Sequence, residues 1–388
     1  MAERIEQIQE RMAHEGLDAL VLRLAENVLL ATGYYVQIGG LAIAVIPRDG
    51  TPALMVPEYE GPGAAEVEVE VRTFAAIRFD APPPGPAIEA HLRELIEAAG
   101  GTGGRVAYEG SFEAVAPPVL AGEPNAVALP TANLIRAASD GAELVDFTAS
   151  LEEIRSIKTE RDIERLTVVN EVAMIGLEAF KKYARPGITE VALAAEVEAA
   201  ILRDGSGHRG ARVVRGWATI TSGPATADGW KYFISSTRTI ERDDVVIIEL
   251  GTVADGYWAD HTRTVVAGTA TPEQKAAFDA MRGGLAASFD AARPGVTGDA
   301  ADAASREAVR AAGFEQFPHH TGHGTGFRYH ESRPAITAGS EAVIEAGMVI
   351  ACEPGIYEER IGGFRWEDDA VITADGARPL ATSEYELD

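Results

Sequence analysis

Two domains of different construction are predicted: an α/β domain over residues 1–145, and a second domain of mixed helices and strands over residues 146–388. Three observations predict them. A chain of 388 residues, 46% of them hydrophobic, has ample apolar content for two cores. In the first 145 residues, short β-prone runs alternate with helical stripes. In the remainder, Arg185-Pro186-Gly187-Ile188-Thr189 returns as Arg293-Pro294-Gly295-Val296-Thr297 about 108 positions later. Each copy lies between two predicted helices with strands to follow.

The elements follow in order. Ile5, Ile8, Met12 and Leu17 form a helical stripe that stops at Gly16. Residues 18–23, 41–47, 53–56 and 66–74 read as strands. The proline cluster at 81–86 predicts a rigid turn, and a helix over 88–99 follows. Gly100-Gly101-Thr102-Gly103-Gly104 is a loop before a strand at 105–108, since it matches neither a dinucleotide nor a phosphate-loop fingerprint. Residues 142–157 predict an amphipathic helix between the domains. A long helix over 159–184 is stopped by Arg185-Pro186-Gly187, and Thr189 and Glu190 cap a helix through residue 203. A further helix begins near Thr271-Pro272, and another at Gly298-Asp299.

Residues able to bind a cation recur at the ends of the later strands. Val245-Val246-Ile247-Ile248 is a buried strand that closes on Glu249. Asp255-Gly256 is a hairpin turn, and Asp260 opens the next β-prone run, so a hairpin can bring Glu249 and Asp260 side by side. Glu353 ends the apolar run 348–352, and Glu367 precedes the strand-like stretch 368–372. Acids are rarely buried unless paired or bound to metal. The segment Gly322-His323-Gly324-Thr325-Gly326-Phe327-Arg328-Tyr329-His330 adds two imidazoles, the commonest metal ligands, and flanks the first with glycines. Those glycines let backbone and substrate come close to His323.

The motif set resembles that of the M24 metallopeptidase superfamily, which includes methionine aminopeptidase, prolidase and Xaa-Pro aminopeptidase. The shared pattern is an acid, then Asp-x-Thr-Arg-Thr eleven residues later, Gly-His-Gly-x-Gly, Glu-Pro, and a Glu before the last strand. The resemblance implies a creatinase/prolidase-like α/β N-terminal domain and an α+β pita-bread catalytic domain with pseudo-two-fold halves. Matched by position, it implies Glu249, Asp260, His323, Glu353 and Glu367 as metal ligands. They would hold two divalent cations, Mn²⁺ favoured and Co²⁺ or Zn²⁺ possible. His330 and His319 match substrate-side imidazoles, and Arg365 matches an Arg two before the final Glu. There are two departures. Glu249 stands where the family usually has Asp. The His usual between Ser222-Gly223-Pro224 and the ligand strand is absent, and Tyr232 or Trp230 occupies its slot.

The resemblance implies hydrolysis of the peptide bond preceding proline, in a dipeptide or at a peptide's N-terminus. Glu353 is expected as general base and His330 as donor to the oxyanion. His319 would face the pyrrolidine ring, and Arg365 and Tyr232 would contact substrate. Two alternatives share the scaffold. One is a creatinase-like or ectoine-hydrolase-like enzyme cutting C–N bonds in small molecules, the direction in which Glu249 and the missing His lean. The other is a non-catalytic peptide binder, disfavoured because four uncompensated acids in one pocket repel each other.

Composition narrows the partners. A formal charge of −26 argues against a nucleic acid partner and an anionic membrane surface. The single Cys352 excludes an intramolecular disulfide and fits a reducing compartment, and its apolar run makes it a buried thiol. With no apolar N-terminal run and no spanning segment, a cytoplasmic protein is expected; the resemblance implies a homodimer acting on small peptides.

Overall fold

In the computed structural model the described residues are 1–36, 41–76, 84–112, 126–229, 234–315, 317–383 and 386–388. The chain forms two compact units, Met1–Arg155 and Ser156–Asp388.

The first unit is built on six strands, β1 (Ala19–Leu22), β2 (Ile43–Pro47), β3 (Ala53–Pro57), β4 (Glu70–Phe74), β5 (Arg105–Tyr108) and β6 (Glu143–Asp146). Their order is β4-β3-β2-β1-β5-β6, with β1–β2 and β2–β3 antiparallel and the other pairs parallel. Its helices are α1 (Ala2–Glu15), α2 (Ala25–Thr32), α3 (Gly61–Ala64), α4 (Gly85–Ala98), α5 (Leu129–Ala138) and α6 (Thr148–Ser156), the last running to the unit's end. Ala19, Val21, Ile43, Val45 and Met55 pack on one face with Leu92, Ile96 and Ile135 from α4 and α5. The alternate residues Leu20, Leu22, Ala44, Ile46 and Leu54 are buried as well, so both faces are covered, as an α/β sheet requires.

Several expectations need correction here. Residues 143–146 are not helical: they pair with β5 as an edge strand, and the helix starts only at Thr148. Asp146 separates the two by accepting from the Thr148 amide and hydroxyl. The strand expected over 66–74 begins at Glu70, and α2 and α5 were not foreseen. Residues 81–83 of the proline cluster lie outside the described residues, and Gly85 and Pro86 already belong to α4.

The second unit carries α7 (Glu160–Tyr183), α8 (Glu190–Ala200), β7 (Val214–Ser222), β8 (Val245–Ala254), β9 (Tyr257–Val266), α9 (Pro272–Ala291) and α10 (Gly298–Ala311). There follow β10 (Gly322–Gly324), β11 (Glu331–Ile336), β12 (Val349–Cys352), β13 (Gly355–Glu358), β14 (Gly362–Arg365), β15 (Asp368–Thr373) and β16 (Gly376–Pro379). An antiparallel sheet β7-β8-β9, a sheet β11-β10-β12-β15-β16 and the hairpin β13-β14 hold them together. Helix α8 ends at Ala200, short of residue 203, and continues as a wider π-helical turn over Ile201–Gly205.

The repeated motif has a repeated structure. Thr159 caps α7 and Thr271 caps α9, each in a reciprocal capping box. Gly187 and Gly295 both take positive φ, 97° and 89°, the conformation for which Gly is the natural choice. The Gly187 amide donates to the Ile240 carbonyl and the Gly295 amide to the Ile344 carbonyl. Thr189 and Thr297 then cap α8 and α10. The second unit is therefore two copies of one helix–turn–helix–strand plan.

Candidate metal centre

Asp255 and Gly256 both have positive φ, 50° and 88°, the geometry of a type I′ turn. The turn sets a register in which Glu249 faces Thr262 and Asp260 faces Gly251. Thr262 and Asp260 are two residues apart on one strand, so Glu249 and Asp260 are diagonal neighbours on one face. Asp255 itself accepts from the Arg212 and Val213 amides and serves the turn.

His323 sits mid-strand in β10, between β11 and β12. A Cβ on Gly322 would lie 2.1 Å from the Ala351 carbonyl oxygen, and one on Gly324 would lie 2.0 Å from that of Arg333. The flanking glycines thus admit neighbouring backbone; the sheet alone accounts for them. Glu353 follows β12, its amide donating to Thr321, and the Glu367 amide donates to Thr262, which ties the end of β14 to β9.

These donors converge, although Glu249 and Asp260 lie within β8 and β9 rather than at a strand's close and opening, because the ladder runs on to the Asp255-Gly256 turn. His323 Nε2 lies 3.6 Å from Asp260 Oδ2, 3.7 Å from Glu353 Oε1 and 3.8 Å from Glu367 Oε1. His330 Nε2 is 3.3 Å from Asp260 Oδ2, and the rings of His323 and His330 are 4.1 Å apart. Arg365 donates to Glu249 and lies 3.7 Å from Glu353. Thr262 Oγ1 stands 3.0 Å from Glu249 and 2.9 Å from Glu367. His319 stands at the edge, its Nε2 2.8 Å from the Tyr357 hydroxyl and its Nδ1 2.8 Å from the His320 carbonyl. Tyr232 and Trp230 lie outside the described residues. His261 points away, to Asn170 and Asp368. His208 pairs with Glu171 on the surface.

Three residues escaped the sequence reading. The Tyr329 hydroxyl donates to Glu249 at 2.6 Å, and the Tyr329 ring stacks on His330. Tyr357 holds His319. His320, adjacent to the motif-matched His319, places Nε2 2.9 Å from Glu353 Oε1.

Electrostatics ask for a cation. Burial, then the charges of Glu249 and Glu353, push the Asp260 carboxyl well up. Burial, then Asp260 and Glu353, does the same to Glu367. Burial raises Glu353 too, but the hydrogen bond from His320 and the charges of His320 and Arg365 outweigh it and hold that carboxyl low. Among the described residues, both oxygens of Asp260, Oε1 of Glu367 and Nε2 of His323 are buried without a hydrogen-bond partner. Such orphaned atoms are costly unless an ion takes them up. His323 Nδ1 lies 2.9 Å from the Gly324 carbonyl oxygen, which can only accept. The proton is therefore on Nδ1 and the Nε2 lone pair is free, the tautomer a metal ligand needs. Three sets of donor atoms lie close enough to share an ion: Asp260, His323 and His330; His320, His323 and Glu353; and Glu249, Asp260 and Glu367. The donor set fits divalent cations.

Comparison with known proteins agrees with this geometry. Residues 164–374 match the model of metallopeptidase family M24, and residues 4–157 match that of the creatinase/prolidase N-terminal domain. An uncharacterized peptidase of Bacillus subtilis (strain 168), YqhT, is 30% identical over 388 residues, covering 99% of each chain. The Xaa-Pro dipeptidase of Pyrococcus furiosus is 34% identical over 238 residues, 61% of this chain and 66% of the relative. The crystal structure of the prolidase from Pyrococcus horikoshii OT3 superposes with a TM-score of 0.77 at 27% identity, covering 99% of both chains.

Proposed function

The chain belongs to metallopeptidase family M24, and from that premise we propose that it hydrolyses the peptide bond preceding proline, as an Xaa-Pro dipeptidase or aminopeptidase. It is a hydrolase with the family's pita-bread catalytic domain, preceded in sequence by a creatinase-like N-terminal domain. The observation that carries the metal-dependent reading is the convergence of Asp260, Glu367 and His323 with atoms that have no hydrogen-bond partner, and likeness to Xaa-Pro dipeptidases and prolidases supports the substrate.

Glu249, Asp260, His323, Glu353 and Glu367 would hold two divalent cations. The carboxylate-rich set favours Mn²⁺, with Co²⁺ or Zn²⁺ as substitutes. Bound there, such ions supply water activation at neutral pH and Lewis-acid polarisation of the scissile carbonyl. Glu353, whose carboxyl the neighbouring Arg365 charge helps hold low, accepts the proton of the attacking water and passes it to the departing proline nitrogen. Burial lowers the pKa of His330, so it faces substrate as a neutral N–H donor for the developing oxyanion. His319 is neutral as well, its pKa lowered to about 4, chiefly by burial. Nδ1 donates to the His320 carbonyl and Nε2 accepts from Tyr357, leaving the ring face for the pyrrolidine. Arg365 and Tyr232 complete the substrate contacts. A cytoplasmic homodimer acting on small peptides completes the reading; among the described residues no helix is long and apolar enough to cross a membrane.

One observation favours a second reading. Arg365, Tyr329 and Thr262 already compensate Glu249. An acid so held needs a cation less, as in a small-molecule C–N hydrolase of creatinase-like or ectoine-hydrolase-like type. Assaying an Xaa-Pro dipeptide and an Xaa-Pro tripeptide with added Mn²⁺ separates the two. Cleavage of either, dependent on the metal, supports the peptidase. No cleavage of either removes it.

A further inference from the structure

The family motif set accounts for His319 and leaves His320 without a role, yet His320 touches the centre directly. Without metal its Nε2 donates to Glu353 Oε1 at 2.9 Å; with that proton released to solvent, His320, Glu353 and His323 form one of the groups whose donor atoms are able to share an ion. The backbone beneath it is held in place from α10. Arg306, paired with Asp302 at 2.8 Å, donates to the carbonyls of Phe317 and His319 at 2.7 and 2.6 Å. The Thr321 hydroxyl donates to the other oxygen of Asp302 at 2.7 Å. His320 is thus presented over Glu353 by a braced segment, with about 44% of its side chain exposed. An ion entering from solvent meets it before the buried donors.

The two sides of the centre then differ in chemistry. Glu249, Asp260 and Glu367 offer oxygen alone, whereas His320, His323 and Glu353 offer two imidazoles and one carboxylate. Oxygen sets suit manganese and magnesium; imidazole suits zinc, cobalt and nickel. We propose that His320 is a metal ligand, and that it makes the His323 side of the centre selective for a nitrogen-preferring ion while the Glu249 side keeps an oxygen-preferring one. This rests on the metal-centre reading above and assigns the two positions separately.

The test uses the full chain stripped of metal and loaded with excess Mn²⁺ plus increasing Zn²⁺ up to one equivalent per chain, with ions counted by mass spectrometry. Visible spectra of the Co²⁺-loaded protein are recorded beside it. Wild type is expected to hold one zinc with one manganese. In His320→Asn and His320→Ala, zinc affinity should fall at least the 10–100-fold, roughly, that loss of a ligand's supporting partner brings. The cobalt bands should shift as a nitrogen donor is lost, and manganese affinity should be unchanged. If both variants keep wild-type zinc affinity and cobalt bands, His320 is no ligand, and a fall in turnover alone would make it a positioning residue for Glu353. If wild type takes up no divalent ion, the metal-centre reading itself falls, and this proposal with it.

Discussion

At the scale of single residues, the acid that departs from the family pattern has acquired its own support. Glu249 accepts from Tyr329 at 2.6 Å and from Arg365, and Thr262 lies within reach of the same carboxylate. Burial works against the Arg365 charge, but Glu249 and the other anionic groups around it more than restore it. A hydrogen bond to a buried charged group contributes roughly 1.5–3 kcal/mol. Tyr329→Phe should therefore lower the urea-unfolding free energy of the metal-free protein by about that much. An unchanged midpoint and slope would mean that Tyr329 does not hold Glu249. Neither Tyr329 nor His320 was legible in the sequence. Tyr329 sits beside a motif residue and reads as packing, and only the extra methylene of Glu249 hints that its carboxylate needs a new partner. The family offset picks out His319 alone of two adjacent histidines, whereas the contact of His320 with Glu353 depends on how α10 anchors the loop.

At the scale of elements, strand-to-strand approach decides what the sheet around His323 tolerates. A methyl on Gly322 would meet the Ala351 carbonyl oxygen at 2.1 Å, whereas one on Gly283, within α9, meets nothing within 4 Å. Gly322→Ala should cost about 3 kcal/mol or more through overpacking, and Gly283→Ala should stabilise by roughly 0.4–1 kcal/mol through helix propensity and reduced unfolded-state entropy. Thermal melting of both variants checks the pair; equal shifts would contradict it. In the first unit, Glu109 follows β5 and accepts from the Arg23 and Leu24 amides, supplying α2 with the cap that Leu24 lacks. Burial, opposed by these bonds and that from Asn27, leaves the Glu109 carboxyl pushed up to about 7. A carboxyl raised in the fold stabilises below its ordinary range and loses that contribution as pH climbs through the folded value. Between pH 5 and 8 wild type should lose about 2–3 kcal/mol more unfolding free energy than Glu109→Gln. Parallel curves would contradict this. The hairpin at Asp255-Gly256 was legible because its turn chemistry is local. Strand β6 was not, since Leu144 and Val145 fit a helical stripe as well as a β edge, and pairing with β5 decided between them.

At the scale of the whole molecule, the duplicated plan explains why the acids and the imidazole come from strands far apart in sequence. Each half closes with its own strands: Glu249, Asp260 and His323 stand within strands, and Glu353 and Glu367 flank strand ends. The twofold repetition of Arg-Pro-Gly-(Ile/Val)-Thr made that plan legible, because it is a local turn with a strict conformational demand. The α/β class of the first unit was legible from alternation alone, although its sheet order was not, since pairing between distant strands leaves no mark on either. What unites both halves is a cluster of anionic groups and an imidazole that burial would otherwise disfavour. The most direct test counts divalent ions per chain by mass spectrometry after Mn²⁺ loading, with Xaa-Pro dipeptide turnover measured on the same samples, for wild type and His323→Ala. Wild type should hold two ions and cleave the dipeptide, while His323→Ala should lose both metal and cleavage. Turnover by wild type that holds no metal would contradict the central claim.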